Sequence, residues 1–306
     1  MMKKIKLFGL GRFMKLLQEV KPTIVVSTFP IASLAMSLVK SHGLIQVPTV
    51  TIITDHTDHS YWIHPYTDRY IVGSEKVKHA LTKLNIPEHQ IAVTGIPILP
   101  YFSHHYNRND LREKYGLSPD FPTILIMGGG YGMICSGLSD MLMSESLPTD
   151  LQFVIVCGHN HKLKEQLTKD LKKAKQRILL TGYVNHVHEF MAMSDLLITK
   201  PGGLTTAEAI ALELPMLLYR PLPGQEQDNA AFLLHAGVAM QAKRADDLGK
   251  KLAYMLSDPA ILKGMRKNAQ LLEMKHTTIN VLEAILHTQN TYLPQWEHAW
   301  MGIRFS

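Results

Sequence analysis

Short apolar, β-branched runs alternate with helical patterns along most of the chain. In the first third, these runs predict strands at residues 23–28, 49–54, 69–73 and 91–94. A second series predicts strands at residues 122–127, 152–157, 177–180, 195–199 and 215–219. Most of these runs have a continuous apolar centre, and helical patterns such as 161–175 and 204–212 fit between the runs. This combination is typical of parallel sheets that are covered on both faces.

Two such series predict an α/β fold with two doubly wound, Rossmann-like domains and a cleft between them. We expect a domain at residues 1–103, a second domain at 104–285 and a tail at 286–306. The junction falls in residues 96–107, which hold two prolines and no clear period. The first series has only about four strands and opens with a helix, whereas such domains open with a strand and a glycine-rich turn. The first domain is therefore expected to be incomplete at its front.

The opening segment is a basic amphipathic pattern. Residues 3–18 place Leu7, Leu10, Met14 and Leu17 at helical spacing among lysines and Arg12. Such a helix either packs on the sheet of its own domain or lies on an anionic membrane surface. The pattern alone leaves both possibilities open.

Composition and charge narrow the function classes. Hydrophobic residues make up 46% of the 306 residues and charged residues 19%, which is typical of a folded protein. The net charge is +6, and the first 20 residues supply +4 of it. A charge that is localised in this way indicates a surface patch, and we expect no nucleic-acid partner. Cys135 and Cys157 form no CxxC motif, which argues against a zinc knot or a disulfide scaffold.

The best candidate for an anion site follows the strand at 195–199. Lys200 is followed by Pro201, Gly202 and Gly203, and a helix begins there. Glycines let a ligand approach the backbone, and a helix N-terminus offers free N–H groups to a diphosphate. Glu208, about one turn into the helix, suits ribose hydroxyls. A simple tight turn remains the alternative, because a glycine pair is a weak signal.

Similar loops follow three other strands of the second series. Gly129 and Gly130 follow the first of these strands and suit a phosphate and sugar pocket or a loose turn. Gly182 and Tyr183 follow another strand and suit a planar base. The last loop supplies amide and carboxylate groups for sugar hydroxyls, at Gln225, Glu226 and Asn229. Four such loops at one edge of a sheet favour a ligand site over a set of unrelated turns.

The first domain concentrates polar residues in 55–68, directly after a strand. The acids and bases there include Asp55, His56, Asp58, His59, His64 and Asp68. A polar cleft wall with Trp62 as an apolar platform is favoured over a metal site, because the spacing matches no metal-binding motif. A capping loop with solvated His56 and Asp58 is the remaining alternative.

These residues together resemble the pattern of bacterial processive diacylglycerol glucosyltransferases and plant monogalactosyldiacylglycerol synthases, which are GT-B enzymes of glycosyltransferase family 28. The resemblance spans roughly residues 10–285. In the first domain it rests on 54–55, His59, 62–65, 68–70 and the run 93–98. In the second domain it rests on 181–183, 200–203, Thr205, 208–209 and the run 219–229.

The resemblance implies an inverting enzyme that transfers a hexose from UDP-glucose or UDP-galactose, without a cofactor or a catalytic metal. Carried over by position, the uracil would lie at Gly182, Tyr183 and Val184, and the ribose at Glu208. The diphosphate would lie at Gly202, Gly203, Leu204 and Thr205, and the hexose at Gln225, Glu226 and Asn229. The remaining donor-binding residues would be Gly129, Gly130, Lys200 and Gly224. Asp55, His59, Trp62 and His64 would line the acceptor side.

The acceptor implied by the resemblance is diacylglycerol or a glycosyldiacylglycerol. Such an enzyme is expected in the cytoplasm, associated peripherally with the inner face of the cell membrane through an anionic lipid surface. The expected catalytic base of the family lies in a glycine-rich loop with a histidine, and nothing in residues 1–21 matches that loop. We therefore expect the 306-residue chain to be inactive or severely impaired, while still able to bind the UDP-sugar.

Three alternatives remain open at this point. One is a UDP-N-acetylglucosamine transferase of the peptidoglycan-synthesis type, and another is an epimerase of the same architecture, which residues 200–203 and the loop that contains Trp62 disfavour. The third is a non-catalytic fragment that binds a UDP-sugar.

Overall fold

The computed structural model describes residues 2–132, 137–143 and 147–290. Contacts divide the chain into two compact units: the segment up to Ile96 together with the segment from Ile279, and Pro97–Thr278. The boundary between the two units after Ile96 lies seven residues before the predicted boundary at residue 103. Residues 279–285, which were predicted to belong to the second domain, belong to the first unit. Cys135 and residues 291–306 of the predicted tail lie outside the described residues.

The described residues form ten strands, and nine of them overlap predicted segments. They are β1 Val25–Ser27, β2 Thr49–Ile52, β3 Arg69–Val72, β4 Ile91–Val93, β5 Thr123–Met127, β6 Gln152–Val156, β7 Arg177–Thr181, β8 Leu196–Thr199, β9 Met216–Tyr219 and β10 Ala239–Ala242.

Twelve α-helices are found in the same residues. They are α1 Met2–Val20, α2 Pro30–Ser41, α3 Glu75–Lys83, α4 Arg108–Lys114, α5 Leu138–Leu142, α6 His161–Asp170, α7 Val187–Met193, α8 Gly203–Ala211, α9 Gln225–His235, α10 Ala245–Ser257, α11 Pro259–Leu271 and α12 Thr277–Leu286.

The first unit contains a four-stranded parallel sheet in the order β1-β2-β3-β4. Helix α1 packs against α2 through Leu17, Met36 and Val39. Val281 of α12 packs on Val50 and Ile71 of the sheet. Met14 and Leu17, on the predicted apolar side of the opening segment, therefore pack within its own unit, while the side chains of Leu7 and Leu10 lie outside the described part of the chain.

The second unit contains a six-stranded parallel sheet in the order β10-β9-β8-β5-β6-β7. Every residue of β5, β6, β8 and β9 is buried, as continuous apolar runs predict for central strands. Burying each Leu, Ile or Val contributes about 1.5–3 kcal/mol, so these strands form the main core of the unit. The register aligns the last residues of neighbouring strands, because Met127 pairs with both Val156 and Thr199.

Numbered within the unit, this order is 6-5-4-1-2-3, the doubly wound nucleotide-binding arrangement. The chain runs outward from β5 to β7, then returns to β8 on the other side of β5. The topological switch point therefore lies between β5 and β8, and ligands of such sheets bind beyond the carboxyl ends of the strands at this point.

Charged and polar side chains pair with one another at the amino edges of both sheets, where the parallel strands begin. At the start of β8, Asp195 accepts hydrogen bonds from Arg108 at 2.7 Å, Arg112 at 2.6 Å and the Thr123 backbone N–H at 2.8 Å. At the amino edge of the first sheet, Lys40 and Asp68 form a buried ion pair of 2.5 Å.

Candidate functional site

The loops after β5 and β8 leave adjacent strands at the switch point of the second sheet. Met127 and Thr199 are paired, so the chain turns out of the sheet at the same level, into Gly128–Gly130 and into Lys200–Gly203. The loops after β6, β7 and β9 leave the same edge, because all these strands are parallel and in register. The edge thus brings together all the predicted donor-site residues.

Two of these loops interlock through glycines. Gly132 and Gly158 both have positive φ, of 58° and 55°. A side chain at Gly132 would overlap the Cys157 carbonyl, and one at Gly158 would overlap the Gly130 carbonyl. The His159 backbone N–H also donates to the Gly130 carbonyl at 2.9 Å. Only glycine permits this close approach, which fixes the loops after β5 and β6 against each other.

Other glycines of this edge face open space. A Cβ atom added at Gly129, Gly130, Gly202 or Gly224 would meet no atom within 4 Å. Gly129 and Gly224 have positive φ, of 71° and 92°, which by itself favours glycine, whereas neither packing nor φ explains Gly130 and Gly202. They leave backbone that a ligand can approach, as the sequence predicts for a phosphate and sugar site.

An aromatic pair stands beside these glycines. Tyr183 is 56% exposed and stacks on the ring of His159, with 4.4 Å between ring centroids and 12° between planes. A Cβ atom added at Gly182 would lie 3.5 Å from the Gly158 carbonyl oxygen, and the half-buried Val184 follows Tyr183. His159 is not among the predicted donor-site residues, although it lies in the loop after β6 and therefore follows the same carboxyl-edge rule as the other loops.

Lys200 is held by an ion pair with Glu226. Its Nζ lies 3.1 Å from one carboxylate oxygen of Glu226, and the other oxygen accepts the Leu222 backbone N–H at 2.7 Å. Both side chains are largely buried, so screening by water is weak and the pair holds the loops after β8 and β9 together.

Helix α8 begins at this edge with Gly202 as its N-cap. Its first turn contains Gly203, the exposed Leu204 and Thr205, so its free N–H groups and positive dipole end face the loop. Burial raises the pKa of Glu208 to about 7, because desolvation disfavours the charged carboxylate. Hydroxyl groups that donate to this carboxylate would favour its charged form.

Asn229 is a buried residue that positions the loop after β8. Its side chain is 0% exposed and donates to the Pro201 carbonyl at 2.9 Å, so it anchors the loop after β8. Gln225 and Glu226 lie half-buried in the first turn of α9. The structure therefore gives Asn229 a loop-positioning contact, and its predicted contact with the hexose stays a prediction.

The predicted acceptor-side residues lie beyond the carboxyl end of β2 in the first unit. His59 is exposed and its ring accepts the Tyr61 backbone N–H at 3.3 Å, and Asp55 is half-buried. His56 is buried, which contradicts the alternative of a solvated His56, and burial lowers its pKa to about 3. Gly73, after β3, has no room for a side chain because the His56 ring and Ile96 fill that space.

Trp62 and His64 differ in their surroundings. Trp62 is 2% exposed and packs with Ile53 and Tyr70, so its indole belongs to the core and supports the loop from inside. Its contact with an acceptor stays a prediction. Burial lowers the pKa of His64, more strongly than its backbone hydrogen bonds to Tyr61 and Pro30 raise it. His64 therefore carries a neutral imidazole near pH 7.

Two further observations concern the described part of the chain. No group of three or more His, Cys, Asp or Glu side chains in it is arranged to hold a metal ion. None of the helices in residues 2–132, 137–143 and 147–290 is both long and apolar enough to cross a membrane.

Two family models match the two parts of the chain. The model of monogalactosyldiacylglycerol (MGDG) synthase matches residues 1–98, and that of glycosyl transferases group 1 matches residues 142–272. A processive diacylglycerol beta-glucosyltransferase of Bacillus pumilus is 34% identical over 91% of this chain and 72% of its own length. A processive diacylglycerol beta-glucosyltransferase of Bacillus cereus is 33% identical over 94% of this chain and 74% of its own length.

Solved structures share the fold at lower identity. The complex of Staphylococcus aureus MnaA with UDP has a TM-score of 0.71 at 17% identity, over 95% of this chain and 84% of that one. Acinetobacter baumannii MurG has a TM-score of 0.65 at 18% identity, over 92% and 78%. These structures confirm the α/β fold with Rossmann-like domains. From the sequence identity to the Bacillus proteins and its extent, the chain belongs to the family of processive diacylglycerol β-glucosyltransferases.

Proposed function

We propose that the chain binds a UDP-hexose at the carboxyl edge of its second sheet and takes part in hexose transfer to diacylglycerol or a glycosyldiacylglycerol. The observation that carries the proposal is the strand order β10-β9-β8-β5-β6-β7, which brings the open glycines after β5 and β8 to one switch point. The proposed glucosyl group and the proposed diacylglycerol acceptor are taken from the names of the Bacillus relatives.

The donor would be held by groups of distinct chemistry along this edge. The diphosphate is placed at the N-terminus of α8, where the backbone N–H groups give positive potential and Gly202 leaves room. Lys200 adds a cation beside it. The uracil is placed at Gly182–Val184, where exposed Tyr183 offers an aromatic face.

The two carboxylates of the site are assigned to different sugars. Glu208 accepts ribose hydroxyls, because its buried carboxylate gains stability from hydroxyl donors. Glu226 and Gln225 face the hexose from α9, since carboxylate and amide groups suit sugar hydroxyls. Gly224 leaves room for the hexose, and Asn229 holds the loop beneath it.

The reaction proposed is a single displacement with inversion at the anomeric carbon. The acceptor hydroxyl forms the new C–O bond as the bond to UDP breaks, and the proton of the hydroxyl passes to a general base. The negative charge that develops on UDP is stabilised by the N–H groups of α8 and by Lys200. The acceptor is placed near Asp55, His59 and His64 at the carboxyl edge of the first sheet, and none of the described residues is assigned as the base.

Isothermal titration with UDP-glucose, UDP-galactose and UDP-N-acetylglucosamine tests the donor site and ranks the sugars. We expect Glu208→Gln to weaken UDP-glucose binding about tenfold, because an amide is a poorer acceptor than a carboxylate. Glu113→Gln, at an exposed position of α4, is the matched control and should bind as the wild-type chain does. Wild-type protein that binds no UDP-sugar at millimolar concentration would contradict the proposal.

Transfer is measured separately, with radiolabelled UDP-glucose and diacylglycerol in mixed micelles. The expectation of weak or absent turnover stays a prediction that this assay tests. Binding does not depend on turnover, so the two results are independent.

A further inference from the structure

His159 is held in the loop after β6 by its backbone. Its N–H donates to the Gly130 carbonyl at 2.9 Å. Directly before it, Gly158 has a positive φ of 55° and packs against the same carbonyl. Directly after it, Asn160 is the N-cap of α6 and accepts the Leu163 N–H at 3.0 Å. Because the backbone is fixed on both sides, the Cα–Cβ bond of His159 leaves the loop in one direction.

Tyr183 is an exposed residue in the loop after β7. Its side chain is 56% exposed. Within residues 2–132, 137–143 and 147–290, its hydroxyl has no hydrogen bond and its ring stacks on no ring but that of His159. An exposed side chain of this kind populates several staggered rotamers unless a contact selects one of them. The stack on His159 is the contact that favours one rotamer.

The register of β6 and β7 brings the two rings together. Val156 pairs with Thr181, and the Cys157 N–H continues the pairing by donating to the Thr181 carbonyl at 2.9 Å. The chain therefore leaves both strands at the same level. The rings of His159 and Tyr183 stack there with 4.4 Å between centroids and 12° between planes. Since the imidazole covers one face of the Tyr183 ring, the opposite face is the one that a ligand can reach.

The same contacts relate Tyr183 to the glycine-rich loop after β5. Gly130 holds the backbone of His159 through its carbonyl, and a Cβ atom added at Gly130 itself would meet no atom within 4 Å. The position of the Tyr183 ring is thus fixed, through His159, relative to backbone that is open to a phosphate or sugar. A ligand that carries a base and a diphosphate binds more tightly when both of its contacts are in place beforehand.

We propose that His159 is a positioning residue for the nucleobase: its ring holds Tyr183 in the rotamer whose open face stacks on the base of the bound nucleotide. The inference rests on the proposed function for the presence of the base at this loop, and it adds the residue that prepares the loop. A protein whose binding-competent conformer is only partly populated binds with an affinity that is reduced by that fraction. Three equally populated rotamers would weaken binding about threefold.

Titration of the full chain with UDP-glucose tests whether the imidazole acts as a ring or as a polar group. We expect His159→Ala to weaken binding about threefold, by the rotamer argument. His159→Gln retains polar groups without a ring and should lose as much, whereas His159→Phe retains a ring and should restore most of the affinity. His161→Ala, which removes an exposed histidine two residues further on, is the matched control and should bind as the wild-type chain does. Full affinity in His159→Gln with weakened binding in His159→Phe would show a polar contact with the ligand and overturn the positioning role.

A double-mutant cycle tests whether His159 acts through Tyr183. Tyr183→Ala should weaken UDP-glucose binding about tenfold, because a stacking platform for the base is lost. Adding His159→Ala to Tyr183→Ala should cause no further loss, since no ring remains to be positioned. Losses that multiply in the double variant would mean that the two residues act independently, and would overturn the inference.

Fluorine NMR of the protein with 3-fluorotyrosine incorporated at position 183 measures the stack without ligand. The imidazole ring should shift the resonance away from its position in the urea-unfolded chain, and His159→Ala should move it back towards that position. A resonance that is the same in both folded proteins would overturn the inference.

The titrations also separate this inference from the proposed function. Wild-type protein that binds no UDP-glucose would contradict the proposed function. Wild-type binding with unchanged affinity in His159→Ala would leave the proposed function intact and overturn only the role of His159.

Discussion

The amino and carboxyl edges of the six-stranded sheet, where its strands begin and end, differ in how their residues interact. At the amino edge, Asp195 is surrounded by three arginines, and the buried Gln152 uses both its amide oxygen and its amide nitrogen on Ser118. At the carboxyl edge, glycines such as Gly129 and Gly202 face open space. Three arginines surround a carboxylate at one edge, whereas backbone remains open to a ligand at the other.

The four-stranded sheet also has an amino edge that is held by an ion pair, but its carboxyl edge has no open glycine at Gly73, where His56 and Ile96 fill the space. Its amino edge holds the buried pair of Lys40 and Asp68, which Thr49 joins through its backbone N–H at 2.7 Å and its hydroxyl at 2.9 Å. Its carboxyl edge holds His56 and His64, whose pKa values are lowered by burial. In both sheets, the edge that is remote from the proposed chemistry is held by ion pairs of low exposure, so we expect substitutions there to change stability and not ligand binding.

The largest effect is expected from Asp195→Ala. The substitution leaves the buried Arg112 without its carboxylate and also removes the acceptor of the Thr123 N–H. Breaking a buried ion pair from one side costs about 3–5 kcal/mol, and urea unfolding followed by circular dichroism measures this loss. The control is Asp120→Ala, at an exposed position, with an expected change within about 0.5 kcal/mol. Equal unfolding midpoints for the two variants would refute the structural role of the amino edge.

Two glycine substitutions at the carboxyl edge should separate packing from binding. Gly132→Ala is expected to cost about 2–3 kcal/mol, because φ is positive and the Cβ atom would overlap the Cys157 carbonyl. Gly202→Ala should change stability by no more than about 1 kcal/mol, because its Cβ atom points into open space.

In contrast, Gly202→Ala should weaken UDP-glucose binding about tenfold or more, since its methyl group occupies space that is assigned to the diphosphate. Thermal unfolding and titration of the two purified variants provide the comparison. If Gly202→Ala binds UDP-glucose as the wild type does, the open glycines are not the donor site.

Much of the fold follows from the apolar runs, because central parallel strands are buried on both faces and therefore leave a continuous signal. The sequence did not predict β10. It is the outermost strand of the six-stranded sheet, and its sequence Ala-Met-Gln-Ala has no β-branched residue. The position of the donor loops was also predictable, since it depends only on strand direction and register.

The roles of single side chains were less predictable. Trp62 and Asn229 lie in polar stretches of sequence that suggest surface contacts, yet tertiary packing buries both. The stack of His159 on Tyr183 joins residues 24 positions apart, and only the neighbouring positions of β6 and β7 bring them together. The burial of Lys40 depends on Asp68, which the helical pattern of α2 alone does not reveal.

A smaller effect, about tenfold, is expected from pH at the carboxyl edge. With a pKa of about 7, Glu208 is mostly protonated at pH 6 and mostly ionised at pH 8. Ribose hydroxyls that donate to the carboxylate lower its pKa in the complex, so UDP-glucose affinity rises with pH through this window and levels off above it.

Titration at pH 6, 7 and 8 in buffers of equal ionic strength measures this dependence. UDP-glucose is suited to the experiment because its diphosphate diester does not titrate in this range. Glu208→Gln should bind with a flat profile. A wild-type affinity that falls as the pH rises would exclude Glu208 as the ribose acceptor.

The smallest effect is expected from Glu226→Gln, which should change the binding of UDP and of UDP-glucose differently. Glu226 pairs with Lys200, so Glu226→Gln removes a neutralising partner of the cation that is assigned to the diphosphate. Binding of UDP alone should therefore stay equal or become about twofold tighter. UDP-glucose should bind about three- to fivefold more weakly, because an amide replaces a carboxylate acceptor at the hexose, a loss of about 1 kcal/mol. The ratio of the two dissociation constants, measured on one protein preparation, cancels any change in folding. A ratio equal to that of the wild type would mean that Glu226 only positions Lys200. The hexose would then be bound by Gln225 and the backbone instead of by Glu226.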